Sequence, residues 1–257
     1  MTLVLAWLDM AQGYPQLGMA TDSLLSAGQD RWEYATKIFR FFPTDAHFAY
    51  CGESMSALHF ALQASALISS TDVLSQSGNS SAPQLGARIL ALDTHLGSTL
   101  KHLPKGWGRD CLMLAADANH RVGPDTDPGW MGPFDVFEVT VDQQGCRHRQ
   151  VALRKHGEYI ALGSGAGRAD KLIDVNAPDP AKRDDKRFLK TLKTVIEDKK
   201  CPEVGGHPQM VKLSAQGHAV VHGFIVGGTR TICGLKVEFE SRLSSVRFLD
   251  ESLDPVP

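Results

Sequence analysis

The opening part of the chain alternates between short apolar runs and turn-forming residues, a pattern that predicts paired strands before any helix. The apolar runs from Thr2 to Asp9 and from Leu17 to Leu25 flank a Gly13-Tyr14-Pro15 turn, which predicts a hairpin at the start of the chain. Two more short strands are predicted from Lys37 to Phe42 and from His47 to Cys51. These four strands should form one antiparallel sheet.

Helical spacing of apolar residues follows in two places along the chain. It appears first from Ser54 to Ser70 and from Pro83 to Leu103, on either side of a serine-rich loop from Ser75 to Ala82. It returns after Gly163 and then from Lys186 to Lys199, where one side of the predicted helix is apolar. The sequence therefore predicts two pairs of helices, each able to cover one face of a sheet.

Further strands separate and follow the helical segments. They are predicted at Cys111 to Ala116, Phe134 to Val141, Arg149 to Leu153, Tyr159 to Gly163, Gln209 to Ser214 and Ala219 to Val226, with a loop insertion from Val122 to Pro133. Two stacked antiparallel sheets with a helix layer outside each would bury all these apolar faces. We therefore predict an α+β fold, a four-layer αββα sandwich in one domain over residues 1–257, with residues 229–257 as a C-terminal extension of uncertain role.

Composition and charge narrow the range of functions. The chain has 257 residues, of which 42% are hydrophobic, and a formal net charge of -2, so it lacks the basic character of a nucleic-acid-binding protein. The apolar run from Leu3 to Leu8 is too short to span a bilayer. The five cysteines are scattered and odd in number, which favours a reducing compartment over a disulfide framework. We expect a cytoplasmic protein that binds neither nucleic acid nor membrane.

The residue after the initiator methionine is a candidate nucleophile. Removal of Met1 would leave Thr2 with a free α-amino group, whose ordinary pKa of about 7.7 to 8 keeps part of it neutral at physiological pH. Such an amine can accept the proton of the neighbouring hydroxyl and so activate it for attack on a carbonyl group. A threonine at this position is also compatible with no catalytic role. Whether Thr2 is a nucleophile therefore has to be inferred from the segments that follow it.

Four features of the first part of the chain resemble the proteasome β-subunit family of the Ntn-hydrolase superfamily, in order and in spacing. The first is Thr2 with the strand that follows it, and the others are Met19-Ala20-Thr21-Asp22-Ser23, Lys37-Ile38-Phe39 at fifteen residues after Asp22, and Ala49-Tyr50-Cys51-Gly52. Further on, the segment from Ile160 to Gly167 resembles the Gly-Ser-Gly turn of the family, although it is also compatible with a plain glycine-rich turn. A helix followed by Val204-Gly205-Gly206 is similar to the segment that precedes the next strand of that family. The resemblance covers residues 2 to 70 and 159 to 228 and implies the αββα fold.

The resemblance also implies a role for each of five residues. Thr2 would attack the substrate carbonyl, Lys37 would lower the pKa of the Thr2 hydroxyl, and Asp22 would hold Lys37. The N–H of Gly52 would donate to the oxyanion, and Ser164 would lie near the amine of the nucleophile. The family implies no cofactor and no metal ion. It further implies peptide or protein substrates and a ring-shaped homo-oligomer, with a partner unfoldase unknown.

Three positions depart from the family, one of them Leu24, where the family commonly carries an arginine. Its peptidases carry an aspartate and a serine, which orient the terminal amine, where this chain has Cys201 and Val204. The sequence therefore leaves three functions open: a threonine peptidase with weak activity, a catalytically silent structural or interaction subunit, and a small-molecule amidohydrolase on the same fold.

Overall fold

The computed structural model describes residues 2–10, 13–27, 30–40, 46–52, 89, 111–118, 132–142, 145–237 and 246–256. Apart from Ile89, which is helical and buried, the predicted helices from Ser54 to Ser70 and from Pro83 to Leu103 lie outside the described residues. The same holds for the predicted loop from Ser75 to Ala82 and for most of the predicted insertion from Val122 to Pro133.

Strands and helices follow the predicted order in the described part of the chain. The strands are β1 (Leu3–Asp9), β2 (Gln16–Thr21), β3 (Leu25–Ala27), β4 (Asp30–Trp32), β5 (Ile38–Arg40), β6 (His47–Gly52), β7 (Cys111–Ala118), β8 (Phe134–Asp142), β9 (Gly145–Gln150), β10 (Tyr159–Gly163), β11 (Gln209–Ser214), β12 (Ala219–Val226), β13 (Thr229–Ile232), β14 (Leu235–Lys236), β15 (Arg247–Leu249) and β16 (Pro255–Val256). The helices are α1 (Ala166–Asn176) and α2 (Asp185–Glu197), joined through a short 3₁₀ turn at Pro180–Lys182.

Nine strands form the larger sheet. Its order is β10-β1-β2-β11-β12-β13-β14, with β15 parallel to β12 and β16 antiparallel to β15. The N-terminal hairpin of β1 and β2 thus lies inside the sheet, between strands that come from the second half of the chain. Residues 229–256 contribute four of the nine strands, so the C-terminal segment completes this sheet.

The second sheet contains five strands in the order β5-β6-β7-β8-β9, and β3 pairs with β4 in a separate hairpin. The prediction of one sheet from the first four strands was therefore wrong, because β5 and β6 pair with β7 instead of extending β1 and β2. The strand predicted from Arg149 to Leu153 begins at Gly145 and ends at Gln150. Leu153 lies after this strand and packs into the core.

Strand β1 is apolar along its whole length because both of its faces are covered. Val4, Ala6 and Leu8 share one buried cluster with residues of the five-stranded sheet. Leu3, Leu5 and Trp7 point to the opposite face and share a second cluster with the two helices. In the described residues the larger sheet thus packs against the helices on one face and against the five-stranded sheet on the other, and the four-layer sandwich stays a prediction.

Helix α2 is fixed on the larger sheet through Trp7. The Asp184 side chain caps the helix by accepting the N–H of Arg187 at 2.9 Å. Phe188, one turn into the helix, stacks on the Trp7 ring with 4.8 Å between centroids, and the Trp7 indole N–H donates to Asp185 at 2.8 Å. Gly18 makes room for the indole, since a Cβ there would lie 2.3 Å from the Trp7 ring.

None of the helices in the described residues combines the length and the hydropathy needed to cross a membrane.

A buried histidine on β12 should make stability depend on pH. Burial lowers the pKa of His222 from 6.5 to about 4, helped by the charges of Lys212 and Arg247 and opposed by that of Asp185. As the pH falls from 6.5 towards 4, the unfolded chain takes up a proton that the folded chain does not. The free energy of unfolding should therefore decrease by up to about 3 kcal/mol over this window.

Urea denaturation at several pH values measures this effect. The His222→Leu variant should lose this part of the pH dependence, and the control His218→Gln, at an exposed position four residues earlier, should keep it. Equal pH dependence in wild type and His222→Leu would contradict the assignment.

Candidate active site

Three strand ends bring together Thr2, Asp22 and Lys37. Thr2 directly precedes β1 and Asp22 directly follows β2, and because these strands are antiparallel, with Val4 opposite Thr21, the two residues meet at one edge of the larger sheet. Lys37 directly precedes β5 of the smaller sheet. Both sheets therefore contribute to one site, and each of its side chains belongs to a residue next to a strand end.

The Lys37 ammonium group lies between the other two side chains. Its Nζ donates to the hydroxyl oxygen of Thr2 and to Oδ2 of Asp22, the latter at 3.1 Å. All three residues are buried, with exposed fractions of 2% for Thr2 and 0% for Asp22 and Lys37. Burial makes these polar contacts stronger than they would be in water.

Backbone N–H groups hold the Asp22 carboxylate in place. Its Oδ1 accepts the N–H of Leu3 at 3.0 Å, and its Oδ2 accepts the N–H groups of Leu24 and Gly205, each at 3.2 Å. These donors come from three separate parts of the chain. The carboxylate is thus fixed relative to the start of β1 and can in turn fix the Lys37 ammonium group.

Burial changes the acidity of both charged groups. It raises the pKa of the Asp22 carboxyl, an effect that the Lys37 charge and the backbone donors oppose. It lowers the pKa of Lys37, an effect that the Asp22 charge opposes. The Lys37 ammonium therefore releases a proton more readily than a solvent-exposed lysine does.

Gly52 ends β6 close to this centre. The φ of Gly52 is 101°, in the left-handed region that favours glycine. The preceding residue, Cys51, lies near Gly163 and interacts electrostatically with Lys37 and Asp22. Burial raises the pKa of the Cys51 thiol to about 12, so it is neutral at physiological pH. The oxyanion role of Gly52 stays a prediction.

The turn after β10 packs against the backbone of Thr2. Gly163 pairs with Leu3, has a φ of 94°, and would place an added Cβ only 2.0 Å from the carbonyl oxygen of Thr2. The next residue, Ser164, is exposed, and its side chain forms no hydrogen bond with the residues that the structure describes. The structure thus brings Ser164 near the start of β1 without joining its hydroxyl to Thr2.

Cys201 and Val204 belong to the apolar cluster between the helices and the larger sheet. Burial raises the pKa of the Cys201 thiol, which is therefore neutral at physiological pH. A Cβ on Gly165 would lie 3.0 Å from side-chain carbons of both Leu3 and Val204, so Val204 lies beside the first residue of β1. The following residue, Gly205, donates to Asp22, which places this whole segment at the candidate site.

Sequence reasoning missed one polar residue of the site. Gln209 is fully buried at the start of β11, and its side chain contacts the backbone of both Asp22 and Lys37. A glutamine at the head of an otherwise mostly apolar strand, directly after Gly205-Gly206-His207-Pro208, is the one signal that could have indicated it.

Comparison with known proteins supports the fold. No protein-family model matches the chain, and no curated protein matches it. Among solved structures, that of Thiobacillus denitrificans BPH in complex with epoxomicin is similar, with 19% sequence identity and a TM-score of 0.55 over 84% of this chain and 99% of that chain. At this identity the likeness shows the fold alone. The chain shares the fold of that protein, in agreement with the proteasome-like fold that the sequence predicts.

Proposed function

We propose that the chain is a threonine-type N-terminal nucleophile hydrolase that cleaves amide bonds of peptide or protein substrates through Thr2. The observation that carries the proposal is the position of the Lys37 ammonium group between the Thr2 hydroxyl and the Asp22 carboxylate. The complex of the structurally similar BPH with epoxomicin gives additional support. The proposal requires that Met1 is removed, since the free amine of Thr2 acts in the reaction.

In the first step the Thr2 hydroxyl oxygen attacks the substrate carbonyl carbon, and its proton passes to the free α-amine. Lys37 stabilises the developing negative charge on the Thr2 oxygen, and the N–H of Gly52 stabilises the oxyanion. The C–N bond then breaks, and the proton moves from the amine of Thr2 to the departing nitrogen. Water hydrolyses the resulting ester in the same way, which releases the acid and regenerates Thr2.

A catalytically silent subunit is the second candidate, and Cys201 and Val204 favour it. At these two positions the proteasome-like peptidases carry polar groups that orient the terminal amine. In this chain the Cys201 thiol is neutral, the Val204 side chain is apolar, and both are buried in the core. In this second function Asp22 and Lys37 serve as a structural ion pair that joins the two sheets.

Mass spectrometry separates the two functions. The intact mass shows whether Met1 is retained, and retention would exclude the catalytic proposal. Incubation with an epoxyketone directed at N-terminal threonine should add one inhibitor to Thr2. The adduct should persist in Thr2→Ser, which keeps a hydroxyl nucleophile, and disappear in Thr2→Ala. A processed but unreactive wild-type chain would support the silent subunit.

We also propose that the protein assembles into a closed homo-oligomeric ring. The proposal extends the family resemblance, and most soluble oligomers have closed symmetry. Size-exclusion chromatography with light scattering should give the mass of at least a hexamer at micromolar concentration. A protein that stays monomeric over this concentration range would contradict the proposal.

A further inference from the structure

Both the oxygen and the nitrogen of the Gln209 side-chain amide form hydrogen bonds with the backbone at or near Asp22 and Lys37. Its Oε1 accepts the N–H of Lys37 at 3.0 Å. Its Nε2 donates to the carbonyl oxygen of Ala35 at 2.7 Å and to that of Asp22 at 3.3 Å. The residue is fully buried, so each of these bonds forms in the protein interior.

These bonds reinforce a junction at the base of the β3–β4 hairpin, where the N–H of Ala35 already donates to the carbonyl oxygen of Ser23 at 3.0 Å. Asp22 follows β2 of the larger sheet, whereas Ala35 and Lys37 lie in the irregular segment before β5 of the smaller sheet. The Gln209 side chain extends this connection to the N–H of Lys37 and the carbonyl oxygen of Asp22, which the backbone bond does not reach. It ties the backbone of the lysine to the backbone of the aspartate at one fixed separation.

We propose that Gln209 is a positioning residue that sets where the Lys37 ammonium group lies relative to Thr2. The inference rests on the proposed function. A lysine side chain has four flexible torsions, so its terminal charge is placed accurately only if the backbone is also fixed. A displacement of about 1 Å in such a group can lower a rate by about 100-fold.

The turn between β13 and β14 closes over this amide. Gly234 has a φ of 78°, and an added Cβ there would lie 2.6 Å from the carbonyl oxygen of Ala35 and 3.0 Å from Nε2 of Gln209. The Thr36 hydroxyl donates to the carbonyl oxygen of Cys233 in the same turn, at 2.9 Å. The turn between β13 and β14 therefore packs directly against the Gln209 amide. A substitution at Gly234 should displace this amide and thereby change the position of Lys37.

The kinetics of inhibitor addition to Thr2 test the inference. We expect Gln209→Met, which keeps the length of the side chain but forms none of the three bonds, to lower the maximal rate of adduct formation at least 10-fold. The inhibitor concentration at half-maximal rate should change less than about 3-fold, because Gln209 acts on Lys37 and not on the bound inhibitor. Gln150→Met, an exposed glutamine on β9, is the matched control and should leave both values unchanged.

Each outcome is distinct. A wild-type chain that forms no adduct overturns the proposed function, and the positioning role falls with it. An adduct in wild type together with an unchanged maximal rate in folded Gln209→Met overturns the positioning role alone. If Gln209→Met does not fold, Gly234→Ala takes its place. It must then lower the maximal rate at constant half-saturation, and an unchanged rate in that variant overturns the inference.

Discussion

Replacing Lys37 by alanine should slow the acylation of Thr2 by about 100-fold to 1,000-fold, the usual cost of removing one group that stabilises the charge of the transition state. The Lys37 ammonium is bonded directly to the Thr2 hydroxyl, and in the described residues no other cationic side chain is bonded to it. Without this charge the hydroxyl keeps its ordinary, high pKa and remains a weak nucleophile. Single-turnover acylation by a β-lactone directed at N-terminal threonine, followed by intact mass, measures the effect.

Loss of stability has to be separated from loss of chemistry in this variant. Removing one partner of a buried ion pair costs about 3 to 5 kcal/mol. Asp22 keeps its three backbone donors, so we expect Lys37→Ala to lower the free energy of unfolding by about 3 kcal/mol.

Lys212→Ala is the matched control for this loss. Like Lys37, Lys212 is a largely buried lysine with acidic partners, and it pairs with Asp185 and, at 3.6 Å, with Asp9. It lies on β11 of the larger sheet, at the opposite end of β1 from Thr2. It should lower the melting temperature comparably and leave acylation intact. Wild-type acylation in folded Lys37→Ala would refute the assigned role of the lysine.

The strands with strong local signals were predicted with good accuracy. The bounds of β10, β11 and β12 agree with the prediction because each is a β-branched or otherwise apolar run between glycine-containing turns. The hairpin β3–β4 was missed because all three residues of β4 are exposed and polar or aromatic, without alternation. Strand β15 was missed because its pairing with β12 is long-range and leaves no pattern in three residues.

The candidate site shows the same division between local and long-range information. Lys37 begins a predicted strand, so its position in the sequence already indicates an edge of a sheet, whereas Asp22 lies inside the predicted run from Leu17 to Leu25 and was identified through the family resemblance. Gln209 reaches Lys37 across 172 residues, and nothing near it in the sequence reveals which backbone its amide will meet. Only the folded chain shows that this glutamine joins two sheets at the candidate nucleophile.

The environment of Cys201 predicts what restoring the polar pair of the peptidase family will do. A carboxylate at this position would meet the negative charges of Asp198 and Glu203, which already raise the pKa of the Cys201 thiol. The nearby cation, Arg168, is paired with Asp198 at 2.8 Å. Val204 packs in the apolar cluster, where a serine hydroxyl would have no prepared partner.

We therefore expect the double variant Cys201→Asp/Val204→Ser to lose about 3 to 6 kcal/mol of stability without faster acylation of Thr2. The control Cys201→Ala/Val204→Ala removes a similar volume without adding polar groups, so it should lose less. Melting temperature and the rate of adduct formation are measured on all three proteins. If the polar double variant acylates faster than wild type, its new carboxylate and hydroxyl must reach the amine of Thr2. In that case the departure at these two positions, and not the geometry of Lys37, limits the activity of this chain.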